Sequence, residues 1–226
     1  MSTSYLLKVT LKGVPDTIWR RFVVPSDMNL DELHDVLQTV MGWHHCHLHA
    51  FTVGKQQYNP AMAMMEDDFP DDLPEEKYTL ADIARKKGVK IRYEYDFGDS
   101  WEHDIVVENT DYSNPDWPYP VYCIEGVRAC PPEDCGGVYG YMDFCEAMAD
   151  KNHPEHRELK EWFGGKYDPN RFDLAKVNQA LGVKAGKSKK PPKQPSGPKP
   201  ESNENNELSQ LGKKLKKTAK VSMKKK

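Results

Sequence analysis

No run of apolar residues in this chain approaches the about twenty that a membrane-spanning helix requires. The opening "MSTSYLLKVTLKG" has no apolar core behind a basic stretch, so no signal peptide is expected and the cytoplasm is the expected location. Cysteine is scarce, five in 226 residues, and no two are spaced by two residues. An odd, sparse set speaks against a disulfide framework and for reduced thiols. There is also no Ser-His-Asp order, no glycine-rich phosphate loop and no dinucleotide fingerprint. Several common enzyme classes drop out on that ground.

The charges are present in quantity but unevenly placed. From Lys184 onward there are fourteen lysines, no arginine and three glutamates, a charge of +11. The preceding 183 residues hold 18 basic and 32 acidic side chains, or −14, so the overall −3 describes neither part. The basic segment has no aromatic residue and only scattered aliphatics, too little apolar surface to offset its ordering entropy. A disordered tail is expected there, with a transient helix around residues 207–220. Lys189, Lys190, Lys213, Lys214, Lys216 and Lys217 would contact DNA or another acidic partner through counterion release. Without aromatics such an arm binds phosphate and reads no bases. Solubilising the chain or folding back on its acidic body are the competing uses.

Residues 1–183 read as one α+β domain. "YLLKVTLK" (5–12) alternates as a half-buried strand, and "IWRRFVVP" makes a partner ending at Pro25. "SDMNLDELHDVLQTVMGW" switches to helical spacing, with Leu30, Leu33, Leu37, Val40 and Met41 on one face. Asn29 and Glu32 form a capping pair there, and Gly42 supplies a stop. "HLHAFTVG" returns to strand. Residues 60–78 hold seven acids and three prolines and are expected to be a solvated loop, since a calcium site would need an ordered ligand pattern and a glycine turn. "TLADIARKKG" predicts a short helix stopped by glycine. "VKIRYEYDFGDSWEHDIVVEN" predicts a hairpin, with Ile91, Tyr93, Tyr95 and Phe97 facing one way and Trp101, His103, Ile105 and Val107 sharing a face. A strand in "YPVYCIEGVRACP" precedes three helices: one around 141–150, one with Leu159, Trp162 and Phe163 inward, and one capped by Asp173. The expected class is α+β: an antiparallel or mixed sheet with helices packed on one side, and the basic tail 184–226 behind it.

Three stretches carry the chemistry: "GWHHCHLHAF", "YEYDFGDSWEH" and "CIEGVRACPPEDCGGVYGY". In this order and spacing they resemble the plasmid pRiA4b ORF-three-like family, and "YDPNRFDLAKVNQAL" is similar to that family's C-terminal end. The resemblance spans about residues 5 to 181 and leaves out the tail. It implies an α+β domain associated with mobile elements in some bacterial genomes, including transposon passenger proteins, and it brings no reaction with it.

His45, His47 and His49 would lie on one strand face, and with His103 and a carboxylate they could hold zinc or iron. The competing reading is a hydrogen-bonded polar seam. In "ACPPEDCGGVYGY", the prolines stiffen the chain, Gly136 and Gly137 permit positive φ, and Glu133 and Asp134 precede a helix N-terminus. That describes a rigid corner first and an acid or metal ligand second. Cys135 has nothing around it that marks an activated thiolate. Asp96 and Asp99 suit turn capping, while Tyr95, Trp101 and His103 suit either a core or a ligand wall. The candidate pocket therefore comprises His47, His49, Tyr95, Asp96, Asp99, Trp101, His103, Glu133, Asp134 and Cys135, which are expected to converge on a shared cleft. The expected function is a non-enzymatic binding or accessory module without cofactor. The alternative is a metal-dependent hydrolase or nuclease using His47, His49, His103, Glu133 and Asp134.

Overall fold

The computed structural model describes residues 3–63, 72–115 and 117–183, all within one compact unit, Met1–Pro191. Three expectations lie outside these residues: the acidic segment 64–71, the disordered tail with its six named lysines, and the helix around 207–220.

Eight strands form one sheet: β1 (Ser4–Leu11), β2 (Trp19–Pro25), β3 (His49–Val53), β4 (Gln56–Asn59), β5 (Leu73–Pro74), β6 (Lys90–Tyr95), β7 (Trp101–Asn109) and β8 (Tyr122–Val127). Their order is β5-β4-β3-β6-β7-β1-β2-β8, antiparallel except for the β4–β5 pair. With α1 (Leu30–Met41), α2 (Leu80–Ile83), α3 (Gly137–Ala149), α4 (His156–Phe163) and α5 (Leu174–Ala180), this is the mixed-sheet α+β class that the patterning predicts.

Alternation decides which face is inside. Leu7, Val9 and Leu11 of β1, Phe22 and Val24 of β2, and Ile105 and Val107 of β7 point to the face that α1 covers with Leu30, Leu33, Leu37 and Val40. Register sets Val9 opposite Ile105, Tyr93 opposite His103 and Tyr95 opposite Trp101, so the aromatic residues of the β6–β7 hairpin stack in one block beneath α1. The α1 ends are as predicted: the Glu32 carboxylate accepts the Asn29 N–H at 3.1 Å, and Gly42 closes the helix at φ 102°. The opposite face of β1, β2 and β8 carries a second, smaller core of Leu6, Val23, Tyr122, Ile124 and Val183. A non-helical segment with Tyr112, Trp117 and Tyr119 covers it. Helices therefore take one side and a loop takes part of the other.

Several local expectations change. The acidic segment is not loop throughout: Leu73–Pro74 pairs with β4, and Glu75–Lys77 forms a 3₁₀ turn. Helix α2 ends at Ile83, five residues before Gly88, because beyond the buried Ala84 the Arg85-Lys86-Lys87 run offers nothing to bury. Phe97 leaves the buried row of β6 and is exposed, since Asp96 turns the chain at φ 56°. Helix α3 starts at Gly137 rather than near Tyr141. Trp162 and Phe163 are exposed rather than inward, although Trp162 packs edge-on to Phe144 and Phe163 packs against it at a tilt.

Candidate functional site

His34 and Gln38 occupy the apolar face of α1 one turn apart and are buried there. Both meet the Tyr93 hydroxyl, His34 Nδ1 at 2.8 Å and Gln38 Nε2 donating at 3.0 Å. The His49 ring stacks on His34 with centroids 3.5 Å apart, and its Nε2 lies 2.9 and 3.0 Å from the two Glu75 carboxylate oxygens. Burial, assisted by the neighbouring His49 and His45, lowers the His34 pKa to about 2, so the ring stays neutral. Burial also raises the Glu75 carboxyl, against the opposing hydrogen bond from His49. These groups bond one another and leave little for a ligand. They anchor the Glu75–Lys77 turn to α1 and β3.

The next layer reaches the surface. The Tyr95 hydroxyl accepts the Cys46 N–H and donates to Glu133 Oε1, both at 3.1 Å, and the same carboxylate oxygen accepts the His44 N–H at 2.8 Å. Burial, with a smaller contribution from the Glu133 charge, holds the Tyr95 phenol well above its ordinary range, so it remains a donor. His47 Nε2 stands 3.0 Å from Asp134 Oδ1 and 3.5 Å from Asp96 Oδ2. Asp99 Oδ2 accepts the Gly136 N–H at 3.2 Å and ties the corner before α3 to the hairpin. The three quoted stretches thus meet, through His44 to His47, Tyr95 to Asp99, and Glu133 to Gly136.

The gathering is smaller than expected. His45 has φ 58° and His47 precedes β3, so the three histidines do not share a strand face. His49 turns inward to Glu75. Trp101 and His103 are fully buried, His103 edge-on to Trp43 and held by burial at a pKa of about 4. Neither lines a cleft. The hydrolase set of His47, His49, His103, Glu133 and Asp134 is therefore divided among separate environments. Cys135 is half-buried in a neighbouring hollow with Leu159 and Trp162, and burial pushes its thiol up to about 12, away from thiolate chemistry at neutral pH.

Glu133 also borders a larger concavity of about 680 Å³, between the end of α1, the Ala129–Glu133 corner and the segment from Trp162 to Val177. Its floor holds Arg20, only 1% exposed. The guanidinium donates to the carbonyls of Val40, Trp19, Val127 and Arg128 at 2.7 to 2.8 Å and stacks 4.2 Å from the Phe172 ring centre. Burial lowers the Arg20 pKa, and its bonds go to neutral carbonyls, so its positive charge meets no carboxylate in direct contact. Lys166, Arg171 and Lys176 line the same cleft, with the aromatic rings of Trp162, Phe163, Tyr167 and Phe172. Gly126 is required beneath it: a Cβ there would meet the Phe172 ring at 2.6 Å and Arg20 Cδ at 2.7 Å. The Tyr167 hydroxyl donates to the Cys130 carbonyl at 3.1 Å, and Trp43 Nε1 donates to that of Pro131 at 3.1 Å, so the corner is held from both sides.

Residues 3–176 match the plasmid pRiA4b ORF-3-like protein family. The chain belongs to that family. It is 37% identical over 190 residues to the uncharacterised protein y4hQ of Sinorhizobium fredii, covering 80% of this chain and 92% of that one. It also resembles the crystal structure of a protein of unknown function from Methanosarcina mazei Go1, with a TM-score of 0.67 and 31% identity over 77% of this chain and 97% of the other. Of the stretches that pointed to the pRiA4b ORF-3-like family, the first and third and the C-terminal one contribute residues to the cleft, while the hairpin meets it only through the Tyr95–Glu133 hydrogen bond. Among the described residues no helix is long and apolar enough to cross a membrane.

Sequence reasoning missed Arg20, His34, Gln38 and the cationic and aromatic lining contributed by residues 162–177. Two signals were available. Arg20 shares strand parity with Ile18, Phe22 and Val24, which marks it as inward, and His34 and Gln38 fall on the α1 apolar stripe. The cleft lining from α4 to α5 had no such signal, because it arises from packing distant segments.

Proposed function

We propose that this pRiA4b ORF-3-like protein is a binding module that takes an anionic ligand of the nucleotide class in the Arg20 cleft. In this reading residues 1–183 form the recognition body, and the lysine-rich segment 184–226 adds electrostatic attachment to nucleic acid. The observation that carries it is Arg20, a buried cation with no bonded carboxylate at the floor of a cleft walled by aromatic rings and three further cations. Aromatic faces and fixed positive charge together are the means by which proteins hold a base and its phosphate. Glu133, Asp168 and Asp173 on the same rim favour a ligand that also offers donors, such as a base edge or ribose hydroxyls. The reading needs no reaction. Attachment through the tail would suit an accessory protein of a mobile element, the setting that the family resemblance implies.

Mobility-shift titrations with a short single-stranded oligonucleotide at several salt concentrations test both parts. Full-length protein should bind. A 1–183 truncation should bind more weakly with a shallower salt dependence, because the lysines release counterions. The Lys166→Ala/Arg171→Ala double variant should weaken binding of a free mononucleotide. Binding by neither form at low salt would remove the reading, and equal binding by both would remove the tail from it.

A further inference from the structure

We propose that His47 Nε2, Asp96 Oδ2 and Asp134 Oδ1 form a binding site for one divalent transition-metal ion, zinc or manganese. This goes beyond the cleft reading and does not depend on it. The three groups come from separate parts of the chain: the segment before β3, the end of β6, and the corner before α3. Their ligand atoms all lie within 4.8 Å of one another. His47 Nε2 is 3.5 Å from Asp96 Oδ2 and 3.0 Å from Asp134 Oδ1. Two ligands on one ion at bond lengths of about 2.0 to 2.1 Å stand about 3.0 Å apart at a right angle and about 3.4 Å apart at the tetrahedral angle. The 3.0 and 3.5 Å separations lie close to those values.

The hydrogen bonding points the same way as the distances. His47 Nε2 is screened from solvent, yet it makes no hydrogen bond, even though a carboxylate oxygen is within reach. A nitrogen 3.0 and 3.5 Å from two carboxylate oxygens that hydrogen-bonds to neither is placed as for a shared cation. Asp96 is pre-set for the role. Its Oδ1 accepts the N–H groups of Gly98 at 3.0 Å and Asp99 at 3.3 Å, which fixes the carboxylate and leaves Oδ2 for the third party. Among the described residues neither Asp96 nor Asp134 forms an ion pair with lysine or arginine.

The donor set selects the ion. One imidazole with two carboxylates suits zinc or manganese, whereas calcium and magnesium take oxygen ligands. Three protein ligands leave a position open to water. Asp134 is the solvent-facing ligand of the three, its side chain 68% exposed.

The test uses full-length protein without an affinity tag, stripped with chelator, then titrated calorimetrically with zinc chloride and separately with manganese chloride. One equivalent of at least one metal should bind, and the thermal unfolding midpoint should rise with it. Asp134→Asn, at an exposed position that leaves the fold intact, and His47→Ala should each weaken binding at least about tenfold. His45→Ala, in the separate group of His34, Asp35 and His45, should leave it unchanged. The proposal is overturned by no binding of either metal, by binding that survives both the Asp134 and His47 changes, or by binding lost only with His45→Ala.

Discussion

Arg20 shows how much one side chain can decide. Its guanidinium satisfies four backbone carbonyls, including Val40 in the last turn of α1, where no basic residue of the helix itself is available. Arg20→Ala would strand these acceptors in a buried site and should cost about 3 kcal/mol or more in urea unfolding. Arg20→Lys should recover only a minor part, because an ammonium cannot span the same fork. Two buried rings govern the pH response. His34 and His103 have folded pKa values lowered from 6.5 to about 2 and about 4, so below pH 6.5 the unfolded chain takes up protons that the folded chain refuses. Stability should therefore fall as the pH drops from 6.5 toward 4, by up to about 1.4 kcal/mol per pH unit for each ring. Glu75, raised from 4.5, acts with the opposite sign: its contribution is fully present below pH 4.5 and is lost as the pH rises through its folded value. Urea midpoints at pH 7.5, 6 and 5 measure the slope. His34→Gln, which cannot titrate, should flatten it, and an unchanged slope would contradict the assignment.

At the level of elements, the corner before α3 joins the sheet to the helical half. Gly137 sits at φ 67°, and a Cβ there would come 2.6 Å from the Asp99 carbonyl oxygen. Both the left-handed backbone and the close approach call for glycine. Gly137→Ala should destabilise by about 2 kcal/mol or more, and because it pushes Asp99 away it should also loosen the Gly136–Asp99 clamp. Chemical denaturation reads the first effect. Hydrogen exchange at the Gly136 amide reads the second, with faster exchange expected. The edge strand β8 is closed differently: Asn178 of α5 receives the Cys123 N–H at 2.8 Å and donates to its carbonyl at 2.9 Å, the double contact that a neighbouring strand would make.

Over the whole molecule, the described body ends where its second core ends. Val183 is buried against Leu6, Val23, Tyr122 and Ile124, and the lysine-rich segment begins at the next residue. Truncation after Val183 should leave the thermal unfolding midpoint within about 1 °C, since both described cores are complete by that residue. Truncation after Ala180, which removes Val183 and the α5 cap, should lower it by several degrees. A 1–183 protein that unfolds or aggregates would show that the body does not stand alone.

Periodicity and charge, read from the chain itself, determined the α+β class, the strands β1, β2, β6 and β7, the ends of α1 and the break in charge at Lys184. All of these follow from local rules: alternation along a strand, spacing around a helix, and capping by near neighbours. Each motif stretch places polar groups in apolar surroundings, but the shared cleft of ten residues expected from that does not form, since His49, Trp101 and His103 are buried apart from it. Tertiary structure alone decided the partition of the histidines, with His49 turned to Glu75, His103 buried under Trp43 and His47 left between Asp96 and Asp134. It alone placed Arg20 at the floor of a cleft whose wall comes from residues about 150 positions later in the chain. One-dimensional pattern specifies which face of an element is inward. Which group meets which depends on register and on the packing of distant segments, and those are fixed only when the sheet and its helices close on one another.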